Sequence, residues 1–171
     1  AISFLSIFAE NLNFMSKEIE RKFLVKDSSF MAAATKRCRM SQGYLSITPE
    51  ATVRVRIAGN KAFLTVKGRN SGSVRDEWEY GIPMADAEDM LKRCCATAIE
   101  KCRYYVPYHG HVWEIDVFGG RLSGLVLAEV ELASEQEDVD IPAFAGREVT
   151  ADTAYYNSVL SDPSRPLPPF S

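Results

Sequence analysis

The chain has 171 residues, of which 46% are hydrophobic and 25% charged, and this composition is typical of one soluble globular domain with a substantial core. Its formal net charge is −3. A chain with this charge has no overall basic field to attract nucleic acid, so any anion-binding site has to be local.

Residues 1–14 are first apolar and then polar, and they are too short and too interrupted to span a bilayer. They lack the basic region and clear cleavage site of a signal peptide, although a clipped signal peptide remains an alternative. Met15 resembles a natural start. We therefore expect an N-terminal extension over residues 1–14, a single domain over residues 15–162 and a proline-rich, extended tail over residues 163–171.

Seven segments alternate polar and apolar residues with period two, which is the pattern of half-buried β-strands. Turn sequences rich in glycine and asparagine separate several of them. The second and third segments flank Gly59-Asn60, which predicts a β-hairpin. In chain order the segments cover residues 17–25, 51–58, 61–68, 74–82, 98–107, 111–118 and 125–133.

Three further stretches are predicted to be helices. The first covers residues 27–40, and the second covers residues 84–96 with acidic side chains in its early turns, which suits the helix dipole. The third covers residues 150–161, and Pro163 ends it. These helices would cover the apolar faces of the strands.

Each predicted strand carries charged residues on one face and apolar residues on the other. The simplest interpretation is an antiparallel sheet with its polar side in water. The alternative is a sheet that closes on itself, so that the charges line a lumen able to hold a polyanion on its bases and Mg²⁺ on its acids. The same-face groups are Glu18, Glu20 and Lys22; Arg54 and Arg56; Lys61 and Lys67; Arg75, Glu77 and Glu79; Lys101 and Arg103; Glu114 and Asp116; and Glu129 and Glu131.

The run Glu18-Ile19-Glu20-Arg21-Lys22 resembles the ExExK signature of CYTH domains, which are also called triphosphate tunnel metalloenzymes. The similarity continues in order along the chain to about residue 162. It includes Gln42-Gly43-Tyr44-Leu45, which is similar to a turn of the short bacterial members. The other matching segments are residues 53–56, 64–68, 75–79, 101–104, 114–116, 129–131, 146–150 and 155–158.

The resemblance implies an α+β fold, an eight-stranded antiparallel β-barrel that forms a tunnel, with helices packed outside. It implies a metal-dependent triphosphatase acting on inorganic tripolyphosphate or on a small organic triphosphate such as ATP or thiamine triphosphate. The cofactor would be Mg²⁺ or Mn²⁺. Water would attack the terminal phosphorus in line, and the surrounding cations would neutralise the developing charge.

The resemblance also implies roles for individual residues. Lys22, Tyr44 and Glu79 would be catalytic, with simple aromatic packing as the alternative for Tyr44. The metal ligands would be Glu18, Glu20, Asp116, Glu129 and Glu131. The triphosphate would be bound by Lys22, Arg54, Arg56, Lys67, Arg75, Lys101 and Arg103.

Two other functions remain open from the sequence. One is a class IV-type adenylate cyclase, although no segment indicates a nucleoside pocket. The other is a non-catalytic polyphosphate- or nucleotide-binding module, which the intact acidic set disfavours. The expected partner is a small triphosphate rather than nucleic acid or a membrane, and the protein is expected to be a monomer or homodimer.

Cysteine and histidine usage bears on location and on metal chemistry. The chain has four cysteines, none of them in a CxxC pair, and only two histidines, which disfavours a zinc site. We expect the cysteines to be reduced thiols and the protein to be cytoplasmic.

Overall fold

The structure is a computed structural model that describes residues 16–69 and 74–171. The predicted N-terminal extension lies outside the described residues. The helical segments are α1 (Phe30–Ala33), α2 (Met84–Arg93), α3 (Asn157–Leu160) and two short 3₁₀ turns, Gly120–Leu122 and Thr153–Tyr155. The strands are β1 (Ser16–Val25), β2 (Lys36–Ile47), β3 (Thr52–Ala58), β4 (Lys61–Lys67), β5 (Val74–Gly81), β6 (Ile99–Tyr108), β7 (His111–Phe118), β8 (Val126–Glu131) and β9 (Ala145–Glu148).

Eight of these strands form a closed antiparallel barrel. Their order is β5-β4-β3-β2-β6-β7-β8-β1, and β1 also pairs with β5, which closes the ring. β9 adds to β1 beyond the point where the pairing with β5 ends. On the outside of the barrel, Arg21 of β1 makes two 2.8 Å hydrogen bonds with Glu148 of β9. The predicted eight-stranded barrel is therefore confirmed, with β9 as a short addition.

The seven strands predicted from periodicity agree with the structure to within two residues at each end, and the hairpin around Gly59-Asn60 is present. The helix predicted over residues 27–40 is wrong, because only the four residues of α1 are helical and β2 begins at Lys36. β2 pairs along its length with β3 or β6, and this ladder outweighs the local helix propensity. Residues 42–45 are likewise strand and not a turn.

The helix predicted over residues 150–161 is also largely wrong. The side chain of Asp152 accepts a hydrogen bond from the backbone N–H of Ala154, which favours a 3₁₀ turn. Tyr156 is extended and separates this turn from the four residues of α3. The helix predicted over residues 84–96 is confirmed as α2, which ends three residues earlier.

Apolar clusters pack on the outside of the barrel wall. Trp113 of β7 is fully buried, and it contacts Phe144, while Phe30 of α1 packs in the same cluster. On the opposite side, Ala87 of α2 packs with Val55 of β3. Within the described residues, no helix is long and apolar enough to cross a membrane.

A separate apolar cluster closes one end of the barrel. Leu24 of β1 and Leu127 of β8 continue the inward-facing rows of their strands and pair in register. The turn residues Leu122 and Tyr155 cover them, and Phe170 of the C-terminal tail packs at the edge of the same cluster. The lumen is therefore filled with apolar side chains at this end and lined with charged ones beyond it.

Gly43 makes a close approach of β2 to α2 possible. A Cβ at this position would lie 2.7 Å from Sγ of Cys95 and 3.1 Å from Cδ2 of Leu91. We expect Gly43→Val to lower the free energy of unfolding by about 1–3 kcal/mol through overpacking, measured by urea denaturation. At Gly81 of β5 nothing lies within 4 Å of an added Cβ, so Gly81→Val serves as the matched control. Equal stability of both variants would contradict this packing.

Candidate active site

The inward faces of the barrel strands bring together the charged residues predicted from the sequence. Lys22, Arg54, Lys101, Arg103, Asp116 and Glu129 are all buried. Burying so many charges is costly unless they are paired, because each one loses its hydration. The interpretation as a polar face in water is therefore wrong, and the closed lumen is confirmed.

One group of ion pairs centres on Lys67 of β4. Its Nζ donates to both carboxylate oxygens of Glu18, at 2.6 and 2.7 Å, and lies 3.2 Å from Glu77. Burial opposes the ionisation of Glu18, but the charge of Lys67 outweighs it, and the pKa of Glu18 is lowered. Burial likewise opposes the charge on Lys67, yet Glu18 and Glu77 raise its pKa. Glu18 and Lys67 are therefore both held in their charged forms.

Arg75 of β5 lies beside this group. Its Nε donates to the backbone carbonyl of Gly68 at 2.6 Å, and its Nη2 donates to Oγ1 of Thr52 at 3.2 Å. These contacts use neutral acceptors. The guanidinium therefore lines the lumen cavity with its charge uncompensated by either contact, which leaves it available to an anion.

A second group of ion pairs lies deeper, around Asp116 of β7. Asp116 accepts a 2.5 Å hydrogen bond from Nζ of Lys101 and two 2.7 Å bonds from Arg103. Arg103 also contacts Glu129 at 3.2 Å and donates to Glu114. Burial would raise the pKa of Asp116, but Arg103 and Lys101 hold it well below its usual range. Arg103 therefore links carboxylates of two neighbouring strands.

Glu79 of β5 organises the two arginines of β3. It lies 3.2 Å from Nη2 of Arg56 and 3.5 Å from Nη2 of Arg54, and Oγ1 of Thr65 donates to it at 2.9 Å. Burial would raise the pKa of Glu79, but Arg56 and Arg54 lower it. In this arrangement Glu79 is an ionised carboxylate that orients both guanidinium groups.

Negative charge accumulates around Glu20. Nζ of Lys22 is 3.0 Å from Glu129 but 3.7 Å from Glu20, and Glu20 lies opposite Glu131 in the β1–β8 register. Its enclosure within the barrel, together with the charges of Glu129 and Glu18, raises the pKa of Glu20 to about 8. Glu131 is exposed at the end of β8, and its partial enclosure together with the charges of Glu114 and Glu18 raises its pKa. This part of the lumen would therefore gain from a bound cation.

The donor chemistry here fits a divalent metal. Carboxylate oxygens are the protein ligands that Mg²⁺ and Mn²⁺ prefer, and Glu18, Glu20 and Glu129 lie close enough to influence one another's charge. No group of three or more acidic, histidine or cysteine side chains in residues 16–69 and 74–171 is already arranged around a common centre. The acids are instead paired with lysine and arginine, so a metal would exchange with those partners.

A cavity of about 90 Å³ lies in the lumen beside Glu20. Tyr44 lines it, whereas Lys101, Arg103 and Asp116 lie beyond its lining. The segment after β9 contributes four lining residues that the sequence did not assign to the site, although the family matches at residues 146–150 and 155–158 are a signal for them. These residues are Thr150, Tyr156, Asn157 and Ser158. The full lining is Glu18, Glu20, Lys22, Tyr44, Thr52, Arg54, Lys67, Arg75, Thr150, Tyr156, Asn157 and Ser158.

Comparison with known proteins agrees with this geometry. The family model of the CYTH domain matches residues 16–165. The chain is 43% identical over 147 residues to an inorganic triphosphatase of Acetivibrio thermocellus, covering 85% of this chain and 94% of that protein. It is 37% identical over 149 residues to an inorganic triphosphatase of Nitrosomonas europaea, covering 84% and 96%.

The chain is also similar to a solved structure. The crystal structure of an inorganic triphosphatase matches with a TM-score of 0.61 at 34% sequence identity, and the match covers 86% of this chain and 95% of that one. From the family match and these relatives together, the chain belongs to the CYTH domain family.

Proposed function

We propose that this protein is a metal-dependent triphosphatase that hydrolyses a phosphoanhydride bond of inorganic tripolyphosphate inside the barrel. The observation that carries the proposal is a closed lumen in which lysine and arginine side chains alternate with carboxylates. Similarity to two inorganic triphosphatases over more than four-fifths of the chain supports it.

Substrate binding would proceed by exchange of ion pairs. Lys67 and Arg54 line the cavity with carboxylate partners, Glu18 and Glu79. Phosphate oxygens would replace those carboxylates, and the guanidinium of Arg54 suits a bidentate contact with them. The carboxylates released in this way would become free to hold a metal. Because the cations of the lumen are paired with carboxylates, the lumen carries no large net charge before the substrate enters.

The proposed ligands of the divalent cation are Glu18, Glu20 and Glu129, with Asp116 and Glu131 completing the predicted set. Bound there, Mg²⁺ or Mn²⁺ would neutralise phosphate charge and allow water to act as a nucleophile at neutral pH. Both ions accept carboxylate and phosphate oxygens, so the site is assigned to a divalent cation of this class.

Lys22 would stabilise the charge that develops on the transferred phosphoryl group. Its ammonium lines the cavity, 3.0 Å from Glu129, and lies 5.5 Å above the ring of Tyr156. Burial would lower the pKa of Lys22, but the charges of Glu129 and Glu20 raise it, so the side chain stays protonated. A fixed positive charge in an enclosed site is an effective form of transition-state stabilisation. Tyr44 lines the same cavity, where its hydroxyl group would donate a hydrogen bond to a phosphate oxygen.

A substrate panel tests the proposed function. Phosphate release from tripolyphosphate, ATP and thiamine triphosphate is measured side by side with Mg²⁺, together with cyclic AMP formation from ATP. We expect rapid release from tripolyphosphate and little from the other two. Faster release from ATP or thiamine triphosphate would make an organic triphosphate the substrate and keep the triphosphatase activity. Cyclic AMP formation without phosphate release from tripolyphosphate would overturn the proposal.

Arg56→Ala is expected to weaken triphosphate binding. Arg56 is largely buried and held by Glu79 through Nη2, facing the lumen. Loss of a charged hydrogen-bond donor should reduce the affinity for tripolyphosphate about 10-fold or more, so tripolyphosphate should raise the melting temperature less than in the parent. Arg37→Ala, at an exposed position of β2, is the control. An unaltered thermal shift in Arg56→Ala would remove Arg56 from the site.

A further inference from the structure

Gln42 lies on β2 with its side chain in the lumen. Tyr44, two residues further, lines the cavity, whereas Gly43 between them faces α2. Because side chains alternate along a strand, Gln42 shares the inner face with Tyr44. Its register partners are Arg56 of β3 and Ile99 of β6. The carboxamide therefore lies between the arginines of β3 and the apolar cluster that closes the barrel.

The carboxamide of Gln42 is fully buried at 0% exposure, and neither Nε2 nor Oε1 has a hydrogen-bond partner within the described part of the chain. Leaving an amide unpaired in the interior is unfavourable, because it loses its bonds to water. A side chain selected for packing alone would be apolar here, as Leu24 and Leu127 are elsewhere on the inner face. The unfavourable burial indicates a ligand-binding role.

Two more unpaired donors lie on the neighbouring strand. Nε of Arg54 and Nε of Arg56 are buried without a partner among residues 16–69 and 74–171, while their Nη2 atoms are held by Thr65 and Glu79. Arg56 lies directly opposite Gln42, and Arg54 is the next inward residue of β3. Three N–H donors thus occupy adjacent inward positions, an arrangement suited to the several acceptor oxygens of one phosphoryl group.

We propose that the carboxamide of Gln42 is a substrate-binding group that, together with Nε–H of Arg54 and of Arg56, holds one phosphoryl group of tripolyphosphate. This inference rests on the proposed function. The Nε2 atom of Gln42 donates to a phosphate oxygen and is neutral, so it gives direction to the contact without adding charge to the lumen. Because the bond forms with the bound substrate and persists in the transition state, it acts mainly on KM.

The test uses Gln42→Met, which keeps the length of the side chain and removes both polar atoms. Its melting temperature without substrate should equal or exceed that of the parent, because two unpaired buried atoms are gone. KM for tripolyphosphate with Mg²⁺ should rise about 10-fold, as expected for loss of a hydrogen bond to a charged group, while kcat changes little. Ser41→Ala, at the next position on the outer face, is the matched control and should leave KM unchanged.

The outcomes separate the binding role from a structural one. A lower melting temperature with unchanged KM would make Gln42 a packing residue and overturn the inference. Should Gln42→Met not fold, Gln42→Glu decides, since a carboxylate opposite Arg56 can pair with it and would repel phosphate; its KM must rise more steeply, and an unchanged KM overturns the inference. A parent protein that neither binds nor hydrolyses tripolyphosphate would overturn the proposed function itself. An active parent with an unchanged KM in the Gln42 variant would overturn only the role of Gln42.

Discussion

Glu20→Gln is expected to reduce phosphate release from tripolyphosphate at least about 100-fold, since even changes next to metal ligands commonly cost 10–100-fold. The substitution removes a carboxylate that would ligate the metal where Glu18, Glu20 and Glu129 meet, since an amide cannot give up a proton to become an anionic ligand. The melting temperature without metal should stay close to that of the parent. Burial and the neighbouring carboxylates raise the pKa of Glu20 to about 8, so the metal-free protein already carries it largely protonated at neutral pH, and glutamine mimics that form.

The measurement combines initial rates with Mg²⁺ or Mn²⁺ and a melting temperature for each variant. Glu100→Gln is the matched control, because Glu100 is exposed on β6 and, among the described residues, its side chain accepts a hydrogen bond only from the hydroxyl group of Ser41. Glu131→Gln should also lower the initial rate of phosphate release. Full activity of Glu20→Gln at unchanged stability would refute its assignment as a metal ligand.

Arg103→Met is expected to destabilise the protein by about 3 kcal/mol or more, the usual result of removing one member of a buried ion pair. Arg103 donates to Asp116 and contacts Glu129 and Glu114. Methionine would leave these carboxylates with fewer cations inside the barrel. Of the two cations that pair with Asp116 in residues 16–69 and 74–171, Lys101 would then remain.

Urea denaturation at pH 7 measures this effect, with Arg37→Met on the exposed face of β2 as a control that should stay within about 0.5 kcal/mol of the parent. The pH dependence has a definite sign. In the parent, Arg103 holds the pKa of Asp116 well below its usual range, so the stability that this pairing contributes is present above about pH 4, the ordinary pKa of the carboxyl group, and is lost as the pH falls further. The difference between the variant and the parent should therefore shrink in acid. A difference that is small at pH 7, or that grows in acid, would contradict the role of Arg103 as their shared partner.

Much of the barrel could be predicted because alternation is a local signal. Each of the seven predicted strands carries most of its charged residues on one face, and the closed barrel places that face inside. β2 was missed because residues 30–40 contain alanine, methionine, lysine and arginine, which favour helices. Its strand conformation depends on pairing with β3 and β6, and the β6 partners are about 60 residues distant in sequence. Such pairing leaves no trace in local propensity.

The inward residues of the site were predictable for the same reason, but their interactions were not. That Arg103 contacts three carboxylates, or that Glu20 rather than Glu18 has the raised pKa, depends on which strands are neighbours and in what register. Tyr156 and Thr150 line the cavity from an irregular segment that has no periodicity to interpret. Their contribution follows from the way the chain folds back over the barrel after β9.

The most direct test of the account is the rate of phosphate release from tripolyphosphate by the unmodified protein, with Mg²⁺ or Mn²⁺ and then with EDTA. The account predicts rapid release with a divalent cation, loss of that release with EDTA, and recovery when the metal is restored in excess. Release that continues unchanged in EDTA would contradict the metal role of the lumen carboxylates. No release under any of these conditions would contradict hydrolysis of tripolyphosphate in this barrel.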